Sequence, residues 1–423
     1  GVVGNDCVSG NYRFLYLPDS YNPSTGSYYF GNSISTAWQG AVESKIGNPD
    51  VTWETAAKQN YGVDAYFINS KLKVNFDYFI ERRKDILTNR KVLPTYLAAN
   101  LPIANIGKVD NKGYELSVNW RDRIHDFRYH IGFNLAYAKN KIVFQDEVPY
   151  PYDYMRKTGK PVGQQMGYKY DGFFSEEDVA KYETERGKSI PDHGTGYIPK
   201  PGDVKYKDIS GPDGVPDGVI DDYDKTNIGS PMPKFTFGWT NTFRYKNFDL
   251  SVFINGSYGN KVYNYLSMKL THMNSPWTNQ LNAVNGRAQL VPINPNKVYE
   301  DGTMWYNDVS NVMVANPGAS IPRATINDPN DNDRISDRYI EDGSYIRLKN
   351  ISLGYTFPKK TIDKLGLSNL RIYANIQNLL TITGYDGYDP EIGASTSSVN
   401  VYGLDNGRYL SPTVYSFGLN VSF

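Results

Sequence analysis

The sequence predicts an all-β protein, specifically a transmembrane antiparallel β-barrel with long loops on one side. Three observations lead to this prediction. The strands are about ten residues long with one apolar face, their connections alternate between very short and very long, and the composition favours strands and turns. The 423 residues include 36 Tyr, 18 Phe and 38 Gly, and such residues suit strands and turns better than helices.

The overall composition excludes other classes of protein. Lys and Arg together number 45, as do Asp and Glu, and a chain without a basic surplus is a poor partner for nucleic acid. The mean hydropathy is −0.55, and no apolar run approaches the ~18–20 residues that a membrane-spanning helix needs. This excludes helical membrane proteins but not β-barrels, in which lipid-facing residues alternate with polar ones. The single cysteine, Cys7, cannot form an internal disulfide.

The C-terminal segment shows the strand pattern most clearly. From Tyr415 to Phe423 the odd positions are aromatic or aliphatic and the even positions are small and polar, which is the period of a strand with one apolar face. Strands of about ten residues exceed the usual five or six of soluble proteins and match the length that crosses a bilayer at a tilt. The same alternation recurs over Leu72–Ile80, Phe127–Tyr137, Phe248–Tyr258 and Leu370–Ile376.

The connections divide into short turns and long loops. We count about ten strands in residues 51–423 and expect residues 1–50 to be a loop with at most one strand, over Ser35–Lys45. Short turns on one side and long loops on the other are typical of bacterial outer-membrane barrels. Ten strands could close a small barrel alone, but loops of this size favour half of a larger one. The short connections are Asn69–Ser70, Arg121–Asp126, Lys246–Asn247 and Pro358–Asn369, and the long loops lie near 86–110, 144–232, 262–343 and 384–411.

Four segments and the terminal residue together resemble one protein family. In this order along the chain, they resemble the C-terminal part of SusC-like TonB-dependent transporters of the Bacteroidetes outer membrane. The resemblance covers nearly the whole chain from Trp53 onward. The segments are Asn227–Phe235, Arg338–Tyr355, Arg371–Leu379 and Gly387–Glu391, followed by Phe423.

The resemblance implies a fold, a location and partners. The chain would form the C-terminal half, about ten strands, of a 22-stranded plugged barrel in the outer membrane of a Gram-negative bacterium, surrounded by its lipid. An N-terminal plug and barrel half, which we expect outside these residues, would contact the TonB complex, and a SusD-like surface lipoprotein would cover the barrel. Phe423 would act as the C-terminal assembly signal.

One loop carries a candidate calcium site, at Asp213, Asp217, Asp221 and Asp224. These residues occupy positions one, five, nine and twelve of an EF-hand-type loop, with Gly218 at the sharp turn of position six. Position three, however, is a valine, and position twelve is Asp rather than the bidentate Glu. We expect a structural calcium ion here and no required cofactor. The alternative is a solvated acidic turn.

The long loops also carry aromatic side chains beside amides, a chemistry that suits sugars because ring faces stack while hydroxyls pair with amides. The alternative is that these rings pack the loops themselves or belong to the interfacial aromatic belt. The candidate substrate-binding residues are Trp277, Asn279, Asn282, Asn285, Trp305, Tyr306, Tyr385 and Tyr388.

No catalytic constellation is present in the sequence. The four histidines are scattered, and neither a nucleophile elbow nor a phosphate-binding loop occurs, so we predict that the chain is not an enzyme. With the resemblance, the sequence indicates TonB-dependent import of oligosaccharides together with a SusD-like lipoprotein. The alternatives are a peptide importer of the same family, a secreted soluble carbohydrate-binding β protein, and a passive ten-stranded porin. The direction in which the apolar strand faces point, to lipid or to a sealed core, discriminates the membrane from the soluble alternatives.

Overall fold

The computed structural model describes residues 1–5, 27–31, 37–40, 48–90, 103–275, 277–392 and 402–423. Within them the chain is built mainly of strands. In chain order these are β1 (Val2–Asn5), β2 (Ser27–Tyr29), β3 (Ala37–Gln39), β4 (Glu54–Phe67), β5 (Leu72–Thr88), β6 (Ala104–Ile124), β7 (Phe127–Phe144), β8 (Gln165–Gly167), β9 (Tyr170–Phe173), β10 (Val204–Tyr206), β11 (Thr226–Gly229), β12 (Phe235–Tyr245), β13 (Phe248–Tyr258), β14 (Lys261–Asn264), β15 (Leu290–Pro292), β16 (Val312–Val314), β17 (Ile340–Asp342), β18 (Tyr345–Thr356), β19 (Asn369–Thr383), β20 (Leu404–Asp405) and β21 (Val414–Ser422).

Ten of these strands form one antiparallel sheet, in the order β1-β4-β5-β6-β7-β12-β13-β18-β19-β21. From β4 onward each strand pairs with the next long strand along the chain, as in a meander. The predicted all-β class is therefore confirmed, as is the count of about ten strands: nine strands of the sheet lie in residues 51–423, and the tenth, β1, precedes them. The prediction of at most one strand in residues 1–50 is wrong, because β1, β2 and β3 all lie there. The remaining strands pair among themselves in small sheets of two or three.

Several strands are longer than their alternating segments. β5 has 17 residues and β7 has 18, against nine and eleven in their alternating segments, whereas β13 has the predicted bounds. The difference has a physical reason. Alternation marks only the part of a strand with one apolar face, but ladder hydrogen bonds continue wherever a partner backbone is present.

In the described residues, three short α-helices lie outside the large sheet: α1 (Glu176–Glu185), α2 (Tyr265–Thr271) and α3 (Lys359–Ile362). Ser175 caps the N-terminus of α1. Its hydroxyl accepts a hydrogen bond from the amide of Asp178, and the Asp178 carboxylate accepts one from the amide of Ser175. These two hydrogen bonds satisfy backbone donors that would otherwise be unpaired. The buried face of α1 is formed by Val179 and Tyr182, spaced as neighbours on one side of a helix. None of the helices in the described ranges is long and apolar enough to cross a bilayer.

The chain divides into two compact units. The first comprises residues 1–66, 73–117 and 136–162, and the second comprises residues 67–72, 118–135 and 163–423. The second unit contains strands β12, β13, β18, β19 and β21, which we call the strand wall. It also contains residues 163–234, which precede β12, and the connections 259–344 and 384–405 between strands of the wall. We call the described residues of these three segments the loop body.

The strand wall has one apolar face that is exposed. The register places Leu250, Leu353, Ala374 and Phe417 side by side across four strands. Two residues away in each strand, a second row runs through Phe248, Tyr355, Ile372 and Leu419. Half or more of the surface of Phe248, Leu353, Leu419 and Phe417 is exposed, with Phe417 at 85%. A soluble protein would bury such a surface.

Candidate functional site

The part of the loop body that the structure describes contains three hydrophobic cores. One forms around Val204 and Tyr206, both completely buried, and a second packs Phe174 against α1. The third joins Tyr263, Met268 and Tyr339. Buried hydrophobic side chains therefore fix the positions of the loop segments that carry the candidate sites.

A buried ion pair joins two distant segments of the loop body. The Arg323 guanidinium contacts both carboxylate oxygens of Asp203, Nε at 2.7 Å and Nη2 at 3.2 Å. Asp203 is completely buried, and its Oδ2 also accepts from the backbone amide of Lys200. The side-chain amide of Asn332 donates to Oδ1 at 3.3 Å. Burial raises the pKa of Asp203, and the charge of Arg323 together with the hydrogen bonds from Lys200 and Asn332 opposes this rise.

A second buried charge cluster surrounds His272. Its Nε2 lies 3.0 Å from Asp328 and its Nδ1 lies 3.4 Å from Asp333. Burial lowers the pKa of His272, but the two carboxylates outweigh it and raise the pKa to about 9. These three side chains are the one trio in the described residues whose His, Cys, Asp or Glu ligand atoms lie mutually close enough to hold a metal. Because each ring nitrogen faces its own carboxylate, we interpret the trio as an imidazolium between two carboxylates.

His193 shows the opposite behaviour. Its ring lies 5.1 Å from the ring of Phe174 and 5.5 Å from that of Tyr206. Burial, and secondarily the charge of Arg334, lowers the pKa of His193 to about 4. At neutral pH the loop body therefore contains one neutral and one charged buried histidine.

Two segments that the sequence analysis singled out meet in space. Arg347 of β18 is buried and donates to Asp389 and Glu391, which follow β19. Its Nε also donates to the Thr381 hydroxyl at 2.8 Å. This ion-pair cluster fixes the start of the last loop against the polar face of the strand wall.

A second ion pair lies on the same polar face. The Arg371 guanidinium donates to both carboxylate oxygens of Asp249, at 3.1 and 2.6 Å. The pair passes over Gly354, where a Cβ would lie 2.3 Å from the guanidinium. The polar face thus carries charged side chains at this place, and they are paired.

The predicted calcium loop is closed by hydrogen bonds to backbone amides. The buried Asp224 carboxylate accepts from the amides of Ile209, Ser210 and Asp221. Asp221 accepts from the amide of Tyr223 and Asp217 from that of Val219, whereas Asp213 is exposed. Gly218 has a φ of +85°, and a Cβ there would lie 2.3 Å from the carbonyl oxygen of Gly187, so the glycine is required by the backbone. Calcium binding stays a prediction.

The predicted substrate residues fall into three environments. Trp277 is 92% exposed and Tyr388 is 57% exposed, and Asn279, Asn282 and Asn285 are also exposed. Trp305 and Tyr306 contact each other edge to face at 5.8 Å, and the Lys200 ammonium lies 5.1 Å from the Tyr306 ring. Tyr385 is buried and donates its hydroxyl to Asp405 at 2.6 Å.

The terminal residue Phe423 is 93% exposed, and its carbonyl accepts from the Ser368 hydroxyl. None of these placements shows which residues touch substrate, and the assignments stay predictions.

Sequence reasoning missed the Asp203–Arg323 pair, the cluster at His272 and the partners of Arg347. The members of each lie far apart in the chain, so residue spacing carried no signal for them. The signal that existed was chemical. Arginine and histidine inside long loops need partners if the loops fold.

Comparison with known proteins identifies related chains. The family model described as "TonB dependent receptor-like, beta-barrel" matches residues 19–379. TonB-dependent receptor P3 of Formosa agariphila is 32% identical over 95% of this chain and 38% of its own length. TonB-dependent receptor SusC of Bacteroides thetaiotaomicron is 25% identical over all of this chain and 37% of its own. The predicted resemblance is confirmed, and since these relatives are receptors by name, so is the prediction that the chain is not an enzyme.

Solved structures agree on the fold. The RagAB peptide importer in its closed-closed state matches the whole chain and 40% of its own, with a TM-score of 0.66 and 18% identity. The open-open state of the same importer also matches with a TM-score of 0.66, at 19% identity. At this identity the likeness concerns the fold alone. The chain spans about two fifths of the length of the relatives that it matches.

Proposed function

The chain belongs to the TonB-dependent receptor-like β-barrel family, and on this premise we propose that it is part of an outer-membrane transporter that actively imports oligosaccharides. The observation that carries the proposal is the exposed apolar face of the strand wall. Its two rows of apolar side chains suit contact with hydrocarbon. The ion pairs on the opposite face suit a hydrated interior.

The proposal extends to partners that lie outside this chain. A plug, a first barrel half and a TonB-contacting segment would supply gating and energy. A SusD-like surface lipoprotein would close the barrel from outside. The support is the relation to a receptor named SusC and the fold shared with RagAB. In this arrangement the residues described here position substrate and line its path.

Oligosaccharides are the substrate class that we favour, because the exposed rings of Trp277, Tyr306 and Tyr388 lie in the loop body. Flat exposed rings can stack on sugar faces, and the amides of Asn279 and Asn282 can pair with hydroxyls. Peptides are the second candidate, since RagAB, which shares this fold, is a peptide importer.

Fractionation of the native source tests the location and partners. We expect the full-length protein in the outer membrane, with different gel mobility before and after heating and with a lipoprotein that co-purifies. A soluble protein whose mobility does not change on heating would overturn the transporter proposal.

Uptake of labelled oligosaccharides and labelled peptides tests the substrate class. A strain that lacks the full-length gene would be complemented with wild type or with Trp277→Ala/Tyr388→Ala. We expect wild type to restore oligosaccharide uptake and the double variant to reduce it at least fivefold. The control is Tyr409→Ala, since Tyr409 is 95% exposed and is not a candidate. Restored uptake of peptides alone would contradict the oligosaccharide assignment and favour the second candidate.

A further inference from the structure

The apolar face of the strand wall contains a groove at the end where the short turns lie. Its volume is about 600 Å³, and it crosses four strands, β13, β18, β19 and β21. One side is the row of Phe248, Tyr355, Ile372 and Leu419, and the other side includes Leu353 and Phe417. A volume of this size lies within the range of about 300–1,000 Å³ typical of small-molecule sites.

The groove exists because Ala374 is small. Its direct neighbours across the two ladders are Leu353 and Phe417, whose longer side chains stand on either side of its methyl group. Gly354 and Gly418 expose backbone in the floor nearby. A larger residue at position 374 would fill the space.

Aromatic side chains line the end of the groove nearest the short turns, and a lysine lies beyond them. The Phe248 ring lies 4.7 Å from that of Tyr355, which lies 5.1 Å from that of Phe357. Tyr245 is paired with Phe248 across the β12–β13 ladder, and the Lys246 ammonium lies 5.4 Å from the centre of the Tyr245 ring. An amphipathic aromatic belt with lysine beside it is typical of the level of lipid headgroups.

The nearby connections add positive charge. Residues 246–247 and 358–368 contain four lysines and a single acidic residue, Asp363, which gives a net charge of +3. Basic residues at a membrane surface attract anionic lipid. The groove therefore combines an apolar trough with a cationic end.

We propose that this groove binds one phospholipid of the bilayer, with an acyl chain along Ala374 and the phosphate beside Lys246. The proposal rests on the outer-membrane location proposed above. A groove that opens on a lipid-facing surface is covered by hydrocarbon, and the cationic end selects an anionic headgroup. The bound lipid would fill the space above Ala374 of β19, between the side chains of β18 and β21.

Native mass spectrometry of the full-length protein, extracted from outer membranes and exposed to phosphatidylglycerol, tests the proposal. We expect wild type to retain one phosphatidylglycerol and Ala374→Phe to retain at least fivefold less. Ala65→Phe is the matched control. By the alternation of β4, Ala65 shares a face with Tyr61 and Val63, and β4 is not one of the strands that line the groove. Equal retention by wild type and Ala374→Phe would overturn the site.

The headgroup contact has its own test. Lys246→Gln should reduce retention of phosphatidylglycerol at least threefold, and the control Lys188→Gln, an exposed lysine of the loop body, should not. Unchanged retention in Lys246→Gln would overturn the placement of the phosphate.

A measurement on wild type alone covers the case in which a variant fails to assemble. A photoreactive acyl chain on phosphatidylglycerol should cross-link to peptides of β18, β19 and β21, and cross-links confined to other strands would overturn the proposal. If wild type is absent from the outer membrane, the proposed function fails. If it is present but retains no lipid, only this inference fails.

Discussion

The strand wall and the loop body bury their side chains in opposite ways. In the wall, Phe417 and Leu419 are 85% and 61% exposed, and cross-strand hydrogen bonds hold the strands without a core behind the apolar face. In the loop body, Tyr206 and Val204 are completely buried and charged side chains are buried with their partners. One part of the chain thus has a surface suited to hydrocarbon, and the other folds like a soluble protein in water.

The difference shows that the loop body and the wall are stabilised by different interactions. The wall has to satisfy its backbone groups, since unpaired N–H and C=O groups are costly in lipid. The loop body has to satisfy its charges, since Asp203 and His272 are almost completely buried. Substitutions of charge should therefore have opposite consequences in the two regions. Removing a charge should damage the loop body, and adding one should damage the wall.

The largest effect is expected from Arg323→Met in the loop body. It leaves the Asp203 carboxylate buried without its charge partner, and breaking a buried pair in this way costs about 3–5 kcal/mol. Pulse proteolysis in urea should show the loop body destabilised, whereas heat-dependent gel mobility, which reports on the wall, should be unchanged.

The control for Arg323→Met is the double variant Asp203→Asn/Arg323→Met, which removes both charges and should recover most of the stability. If the single and double variants are equally destabilised, the pair acts through packing and not through charge.

The next effect on stability is expected from Val252→Arg in the wall. Val252 lies in an apolar row with Ile351 and Ile376, farther from the short turn than the aromatic end of the groove, and an arginine in mid-bilayer costs about 2–4 kcal/mol. The free energy of unfolding in lipid vesicles measures it. Ser251→Arg is the control, because Ser251 lies on the opposite face beside Ser352 and should cost less than ~1 kcal/mol. Equal costs for the two variants would contradict the assigned orientation.

A smaller effect on stability is expected from a change of pH, and it should be confined to the loop body. His272 has a pKa of about 9 between Asp328 and Asp333, with Lys269 also acting on Asp333. A pKa raised above the unfolded value of about 6.5 stabilises the folded state below pH 6.5, and this stabilisation is lost as pH rises through about 9. Pulse proteolysis at pH 6.5, 8 and 9.5 should show a decline on the order of 1–3 kcal/mol.

His272→Gln should remove this decline, whereas His125→Gln, in a short turn of the sheet, should leave it unchanged. His193 cannot produce the decline in stability above pH 6.5. Because its pKa is about 4, its protonation changes the free energy of unfolding only below pH 6.5. A decline that persists in His272→Gln would show that another group titrates.

The sequence predicted the wall better than the loop body, for a physical reason. A strand such as Phe248–Tyr258 shows its two environments in its own alternation, and β13 has the bounds that this pattern predicts. The partners of Arg347 and His272 depend on how distant segments fold back, which no local period encodes. Tyr385 illustrates the limit: its ring suggested sugar stacking, but its hydroxyl contacts Asp405, a residue that the sequence did not connect with it.

The smallest effect is expected from calcium. Its predicted ligands Asp217, Asp221 and Asp224 already accept hydrogen bonds from backbone amides. The turn therefore closes without an ion, and a bound calcium ion would add little to its stability. We expect calcium to slow proteolysis within residues 208–224 of the full-length protein about two- to threefold over EDTA, an increment of less than ~1 kcal/mol. Asp217→Ala/Asp221→Ala should abolish the difference, and Asp363→Ala, an acid of the β18–β19 connection, should leave it unchanged. If wild type shows no calcium dependence, the carboxylates serve only to cap the turn, and the loop body is held by its own cores and buried charge pairs.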